Sequence, residues 1–229
     1  MMLKLISKYF TNWWVPIISY FFIFSVFILG CLLRRDWIID IFLYLYFINV
    51  FGVFIWCIVQ LFIKKWHHII LPIIITFLIS SWLSVVFMFS PPDFYGVHKT
   101  IPNNIEIYKP IKRNPEEKDF LNNHLVLSSQ SQPGIYNYHT DFTPKNLGYF
   151  YIKVFEVTSN DKLSTERIKE RSKIKINDLE PKIHIGRFTI YEGSWGHKYG
   201  SRIELWFKPY YNQEYKITER NYIVEGWMR

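Results

Sequence analysis

Cysteine is nearly absent: Cys31 and Cys57 are the only two in 229 residues. Both fall in long apolar runs. They form neither a disulfide framework nor a Cys-x-x-Cys metal knuckle, and they read as small apolar fillers. Charge is scarce across the first 92 residues, which carry only Lys4, Lys8, Arg34, Arg35, Asp36, Asp40, Lys64 and Lys65. The other 38 charged side chains lie in the remaining 137 residues. That imbalance excludes a single water-soluble globule, and the near-zero mean hydropathy averages two unlike halves. Nucleotide loops are missing as well: there is no G-x-G-x-x-G and no Gly-Lys-Ser/Thr. No repeat of fixed period and no low-complexity tract is visible.

Three long apolar runs are present, over about 13–33, 41–63 and 69–89. Each has roughly 20 residues, enough for a helix to cross a hydrocarbon core of about 30 Å. Lipid offers backbone amides no partners, so runs of this length are expected to be helical. The separators, Arg34-Arg35-Asp36 and Lys64-Lys65-Trp66-His67-His68, read as tight interfacial turns. Trp13, Trp14, Trp37 and Trp66 stand at the span ends, where indole rings prefer the headgroup layer. Pro16 and Pro72 fall in first helical turns, where a missing N–H matters little. The first run exceeds a signal-peptide core and lacks a small-x-small cleavage site, so it is expected to be retained.

Three spans put the termini on opposite sides. The positive-inside count ties: Lys4, Lys8, Lys64 and Lys65 against Arg34, Arg35, Lys99 and Lys109. The weight of the first helix tips the expectation to a cytoplasmic N-terminus and an extracytoplasmic C-terminal domain. Within the spans, the candidate polar contacts are Asp40, Asn49, Ser80, Ser81 and Ser84. Asp40 is shallow enough to pair with an arginine of the first turn. Asn49 and the serines suit inter-helix hydrogen bonds and close packing.

From residue 93 the pattern changes. Ser90-Pro91-Pro92 stops the third helix, and residues 93–103 read as a short tether. Period-two alternation marks strands over 104–109, 124–128, 148–158, 182–192, 202–208 and 215–227, with the fourth and fifth read as a hairpin. Residues 148–158 are apolar on both faces, as a central strand should be. Residues 163–171 read as a short charged helix, capped by Ser164 and with Glu166 at its positive end. The expected fold is three transmembrane helices (1–92) followed by a mainly antiparallel, sandwich-like β domain (104–229) with one short helix.

The segment 191–202 is the most unusual. Gly193, Gly196 and Gly200 permit close approach, and Trp195 and Tyr199 read as loop aromatics. Tyr191, Glu192, Trp195, His197, Tyr199 and Arg202 are therefore the candidate ligand loop. It could recognise a protein or glycan, touch the bilayer interface, or fold back onto the core. Ser194 near His197 is not a nucleophile elbow, and His184, Glu192 and His197 have no metal-ligand spacing. No catalytic motif, cofactor or metal site is expected. The net charge of +8 splits evenly between the halves, and bases interleave with acids, so nucleic acid is not an expected partner. The candidate partners are the bilayer, a protein or glycan ligand, and further copies of the chain. The leading reading is a non-enzymatic membrane protein displaying a binding domain. The alternative is an oligomeric pore or membrane effector gated by the β domain.

Overall fold

The computed structural model describes residues 9–227, apart from the side chains of Thr165 and Glu166. Lys4, Lys8 and the Glu166 side chain thus lie outside the described residues. The chain divides after Pro92 into two compact units.

The first unit holds α1 (Val15–Leu33), α2 (Asp36–Phe62) and α3 (Ile70–Phe89). All three are long and apolar enough to cross a membrane, which marks the chain as a membrane protein. Pro16 lies at the start of α1, where its ring presets φ. Arg34 swings into the left-handed region at φ 51° and ends that helix. Asp36 opens α2 two residues later, its carboxylate at the positive end of the helix dipole. The second helix therefore begins earlier than its apolar run suggests. Its 27 residues span about 40 Å, longer than the hydrocarbon core, so it must tilt or enter the headgroup layer. Lys64 is also left-handed, and a 3-10 turn over Trp66–His68 leads into α3.

Tyr20, Ile23, Phe42, Tyr46, Val53 and Leu83 form the small core of this unit. Gly30 permits a close approach of α1 and α2. A Cβ there would lie 2.7 Å from Ile39 Cδ1.

The second unit begins at Asp93. Its strands are β1 (Val126–Ser129), β2 (Ile135–Thr140), β3 (Gly148–Glu156), β4 (Ile174–Ile176), β5 (His184–Thr189), β6 (Tyr199–Pro209) and β7 (Tyr215–Val224). The short helix α4 (Thr165–Arg171) connects β3 to β4. Two antiparallel sheets result, ordered β1-β2-β5 and β4-β3-β6-β7. One core lies between them. Leu125, Leu127, Tyr138 and Phe188 belong to the smaller sheet and its flank; Phe150, Ile152, Val154, Ile203, Leu205 and Phe207 belong to the larger. Alternation produces this arrangement, because residues i and i+2 share a face. The smaller sheet admits Tyr138 beneath it only because Gly186 opposes it; a Cβ at 186 would overlap the tyrosine ring.

The fold expected from the sequence is the fold observed, with three local corrections. Residues 104–109 form no strand: Tyr108 makes only an isolated parallel bridge to Tyr222. The stretches 182–192 and 202–208 are not a hairpin, since β5 and β6 belong to different sheets. The alternation marks strands in both stretches, but the connection carries the chain across the sandwich. Ser164 does not cap α4 with its side chain; it is itself held by Glu192. The short tether over 93–103 is also held to the domain. Lys99 Nζ lies 3.3 Å from both Glu156 and Asp161, which fastens the segment to the domain.

Candidate functional site

The segment 191–202 contains groups with very different roles. Glu192 Oε1 accepts the Ser164 backbone N–H at 2.7 Å and its hydroxyl at 2.6 Å, anchoring the start of α4. Tyr199 is not a loop aromatic. It opens β6, is fully buried, and donates its hydroxyl to the Glu192 carbonyl at 2.8 Å. Burial pushes its pKa upward. Arg202 lies on the outer face of β6, donating to Glu204 at 3.2 Å and to Asn160 at 2.8 Å. The Tyr191 ring sits beneath the Arg167 and Arg171 guanidiniums and edge-on to Trp227. His197 is partly buried and its backbone N–H bonds Ser194 O. Only Trp195 is a large exposed aromatic of the loop, at 44 %. The six candidates thus do not converge on one concavity.

The outer face of the larger sheet carries a row of aromatic rings, each beneath a cation. Lys153 stands 3.5 Å over Trp206, Lys169 4.9 Å over Tyr151, Lys173 5.2 Å over Tyr149 and Arg202 4.8 Å over Phe155. Glu204 and Glu214 answer those charges. The rings are therefore occupied by the chain's own cations rather than open for stacking.

The concavity that sequence reading missed lies beside β7. Two adjoining hollows of about 490 and 280 Å³ share Tyr108, Asn122 and Arg220. Its wall is backbone-fixed: Tyr108 N donates to Asn221 O at 2.9 Å, and Ile223 N to Tyr108 O at 2.8 Å. Arg220 stacks on the Tyr108 ring at 3.6 Å, and the Tyr108 hydroxyl donates to Glu106. Asn123 ties the floor together, accepting from Leu125 N at 2.9 Å and Thr218 Oγ1 at 3.0 Å. Asn122 is exposed at the rim. Three acids (Glu106, Asp119, Glu219) face three bases (Lys109, Lys118, Arg220) across the two hollows. The lining is charge-balanced and rich in amide and hydroxyl groups. The only sequence signal was the alternation over 104–109, which pointed to a strand; the pairing with β7 is long-range and left no local trace.

A serine–histidine contact also emerges. Ser128 Oγ lies 2.8 Å from His139 Nε2. His139 is buried, and its Nδ1 has no hydrogen-bond partner. A serine nucleophile of the triad type needs an acid on that nitrogen and an open approach, and this pair has neither among the described residues.

In the spans, the five polar candidates separate. Asn49 is buried in α2 and accepts Ser19 Oγ at 2.6 Å and Tyr9 OH at 3.0 Å through Oδ1. Ser80 donates to Thr76 O at 2.7 Å and accepts from Tyr46 OH at 2.5 Å. Tyr20 OH reaches Thr76 Oγ1 at 2.9 Å. Ser19–Asn49 joins α1 to α2, and the Tyr20 and Tyr46 bonds join α1 and α2 to α3. Ser81 and Ser84 instead face outward, Ser84 bonding back to Ser80 O. Asp40 is exposed near the start of α2. Gln60, not singled out from the sequence, donates from α2 to Phe10 O at 2.8 Å.

No protein-family model matches the chain, and neither a curated protein nor a solved structure shows significant similarity to it.

Proposed function

We propose that the protein is a membrane-anchored, non-enzymatic binding module whose β domain takes a glycan in the Tyr108–Arg220 groove. The observation that carries this reading is the lining itself: amides, carboxylates and a guanidinium, charge-balanced on a backbone-fixed wall. Neutral ligands dense in hydroxyl groups need such paired donors and acceptors, and a rigid wall limits the ordering entropy of binding. The helices serve as the anchor. Asn49 with Ser19, Tyr20 with Thr76 and Tyr46 with Ser80 bond one another across the helices, which supports packing over a polar conduit, while Asn49 Nδ2, Trp56 Nε1 and Gln60 Oε1 stay unpartnered among the described residues.

Orientation belongs to the same reading. The positive-inside bias is counted over short loops and the first residues, about 15–20, beyond each span. Lys99 and Lys109 lie within that distance of Phe89, so the count ties, Lys4, Lys8, Lys64 and Lys65 against Arg34, Arg35, Lys99 and Lys109. The weight of the first helix then supports a cytoplasmic N-terminus and an extracytoplasmic groove. Reporter fusions at both ends test this; activity of the C-terminal reporter only in the cytoplasm would overturn it.

The binding claim is tested by probing a glycan array with the purified full chain. Asn122→Ala and Arg220→Ala should abolish the retained signal while leaving the fold intact by circular dichroism. Retention that is equal in wild type and both variants would refute the groove as the site.

A further inference from the structure

We propose that the loop 193–198 is a second membrane anchor, with Trp195 and Lys198 seated in the headgroup layer of the bilayer that holds the three helices. The inference deepens the membrane-anchored reading and rests on it.

Asp93 is the point where the β domain is tied to its last span. Only Ser90, Pro91 and Pro92 separate it from Phe89, the end of α3. Four Cα steps reach at most about 14 Å, and two consecutive prolines remove slack from them. The same Asp93 is fastened to the loop. Its Oδ2 accepts the Gly193 N–H at 2.9 Å, and its Oδ1 accepts the Tyr95 N–H at 3.0 Å. Gly96 then packs so tightly that an added Cβ would meet His197 O and the Tyr199 ring at 2.8 Å. The loop therefore forms the corner of the domain that lies beside its attachment point.

That corner is rigid and carries interfacial chemistry. Gly193 and Gly196 adopt φ of 87° and 83°, which a side chain would strain. Gly196 N donates to Glu225 Oε2 at 2.8 Å, holding the turn. Trp195 is exposed, and Lys198 is exposed with no salt bridge among the described residues. Indole prefers the headgroup layer, and a lysine stem lies along apolar surface while its ammonium reaches phosphate. Beside the loop, Arg167 and Arg171 are exposed over Tyr191. The local carboxylates, Asp93, Glu192 and Glu225, each accept hydrogen bonds from within the domain. Lys198, Arg167 and Arg171 remain exposed, so their charged ends can reach lipid phosphate.

The test uses the full chain with Cys31 and Cys57 replaced by alanine, reconstituted in phosphatidylcholine–phosphatidylserine vesicles. A fluorophore is attached through Ser194→Cys, and separately through Lys145→Cys as control. Lys145 precedes Gly148, while the loop leads into Tyr199, which β6 places beyond Glu156, the other end of β3. Nine residues of strand separate these ends by about 30 Å. Headgroup-attached nitroxide lipid should quench the label at 194 and leave the label at 145 near its unquenched emission. Trp195→Ala should bring quenching at 194 down to the control level. Equal quenching at 194 and 145 would overturn the anchor, and quenching at 194 unchanged by Trp195→Ala would overturn the assignment of Trp195. Failure of the chain to float with the vesicles would instead refute the membrane reading itself.

Discussion

The two units use the same residue types in opposite directions. In the helices, Phe21 is 74 % exposed while Asn49 and Gln60 are buried. In the β domain, Phe150, Phe188 and Phe207 are buried and the strand edges carry lysine and glutamate. The contrast follows from the surroundings each unit needs. Against lipid, apolar surface gains nothing by hiding, so helices associate through close contacts such as Gly30 and a few polar bonds. Against water, burying apolar area is the main driving force. Core truncation should therefore be severe in one unit, and polar truncation mild in the other.

The largest effect should come from Phe150→Ala. The ring lies among Phe142, His184 and Phe207, with centroids 5.1–6.4 Å away. Removing it from a fully buried site should destabilise the β domain by about 3–5 kcal/mol. Denaturant unfolding of the full chain, followed by a β-sheet signal, would read the loss. A shift under about 1 kcal/mol would break the contrast, because it would mean the sandwich does not depend on its apolar core.

Glu156→Gln should rank next. Burial pushes this carboxyl up, but donors from Thr158 and Ser159 outweigh it, and its pKa falls to about 2. Ser159 N donates at 2.6 Å, Thr158 N at 3.0 Å and Lys99 Nζ at 3.3 Å. Loss of the charge should cost roughly 1.5–3 kcal/mol. The folded pKa lies below the ordinary 4.5, so the contribution is complete above pH 4.5 and is lost as pH falls toward 2. The variant should therefore show a flatter stability profile across that interval. A parallel profile would refute the assignment.

His139 gives the opposite unit of charge and a smaller effect. Burial lowers its pKa, so the folded domain favours the neutral ring. Its contribution is complete above the ordinary value of about 6.5 and declines below it, by at most about 1.4 kcal/mol per pH unit. Burial lowers the His184 pKa too, so His139→Gln should reduce the acid sensitivity of the unfolding midpoint without removing it. A midpoint with unchanged pH slope would count against His139.

The same contrast explains which features could be read from the chain alone. A span advertises itself over twenty consecutive residues, and lipid leaves it no alternative to a helix. The central strand β3 was equally legible, because being apolar on both faces implies neighbours on both sides and cover above and below. Strand partners were not legible. Alternation in 182–192 and 202–208 states which face is buried but not which sheet receives it. Strand β2 was hidden because Tyr136, Tyr138 and Thr140 alternate with Asn137 and His139, a polar-rich pattern resembling a loop. In the candidate loop, Tyr199 was misread because three nearby glycines suggested irregular chain, whereas Gly200 lies inside β6. The groove depends on contacts of Tyr108 with residues more than a hundred positions away, which no local pattern encodes.

The smallest effect sharpens the comparison most. Asn49→Ala removes the acceptor shared by Ser19 and Tyr9, a deep polar contact of the bundle. In water-soluble cores such a loss is large, because the orphaned partners were solvated before folding. In a bilayer the separated helices have no water to return to, and their hydroxyls bond their own backbone; Ser19 Oγ already lies 2.6 Å from Pro16 O. Asn49 also buries an unpartnered Nδ2, a penalty that the alanine variant relieves. The net change should be about 0.6 kcal/mol, near the average for inter-helix polar contacts. Ser84→Ala, on the outward face of α3, should change nothing measurable, since it replaces only a bond to its own helix. Steric-trapping or denaturant unfolding of the helical unit in lipid would rank them. If Asn49→Ala instead cost as much as Glu156→Gln, the bundle interior would behave as a hydrated core, and the pore reading would regain the support that the inward-facing bonds now deny it.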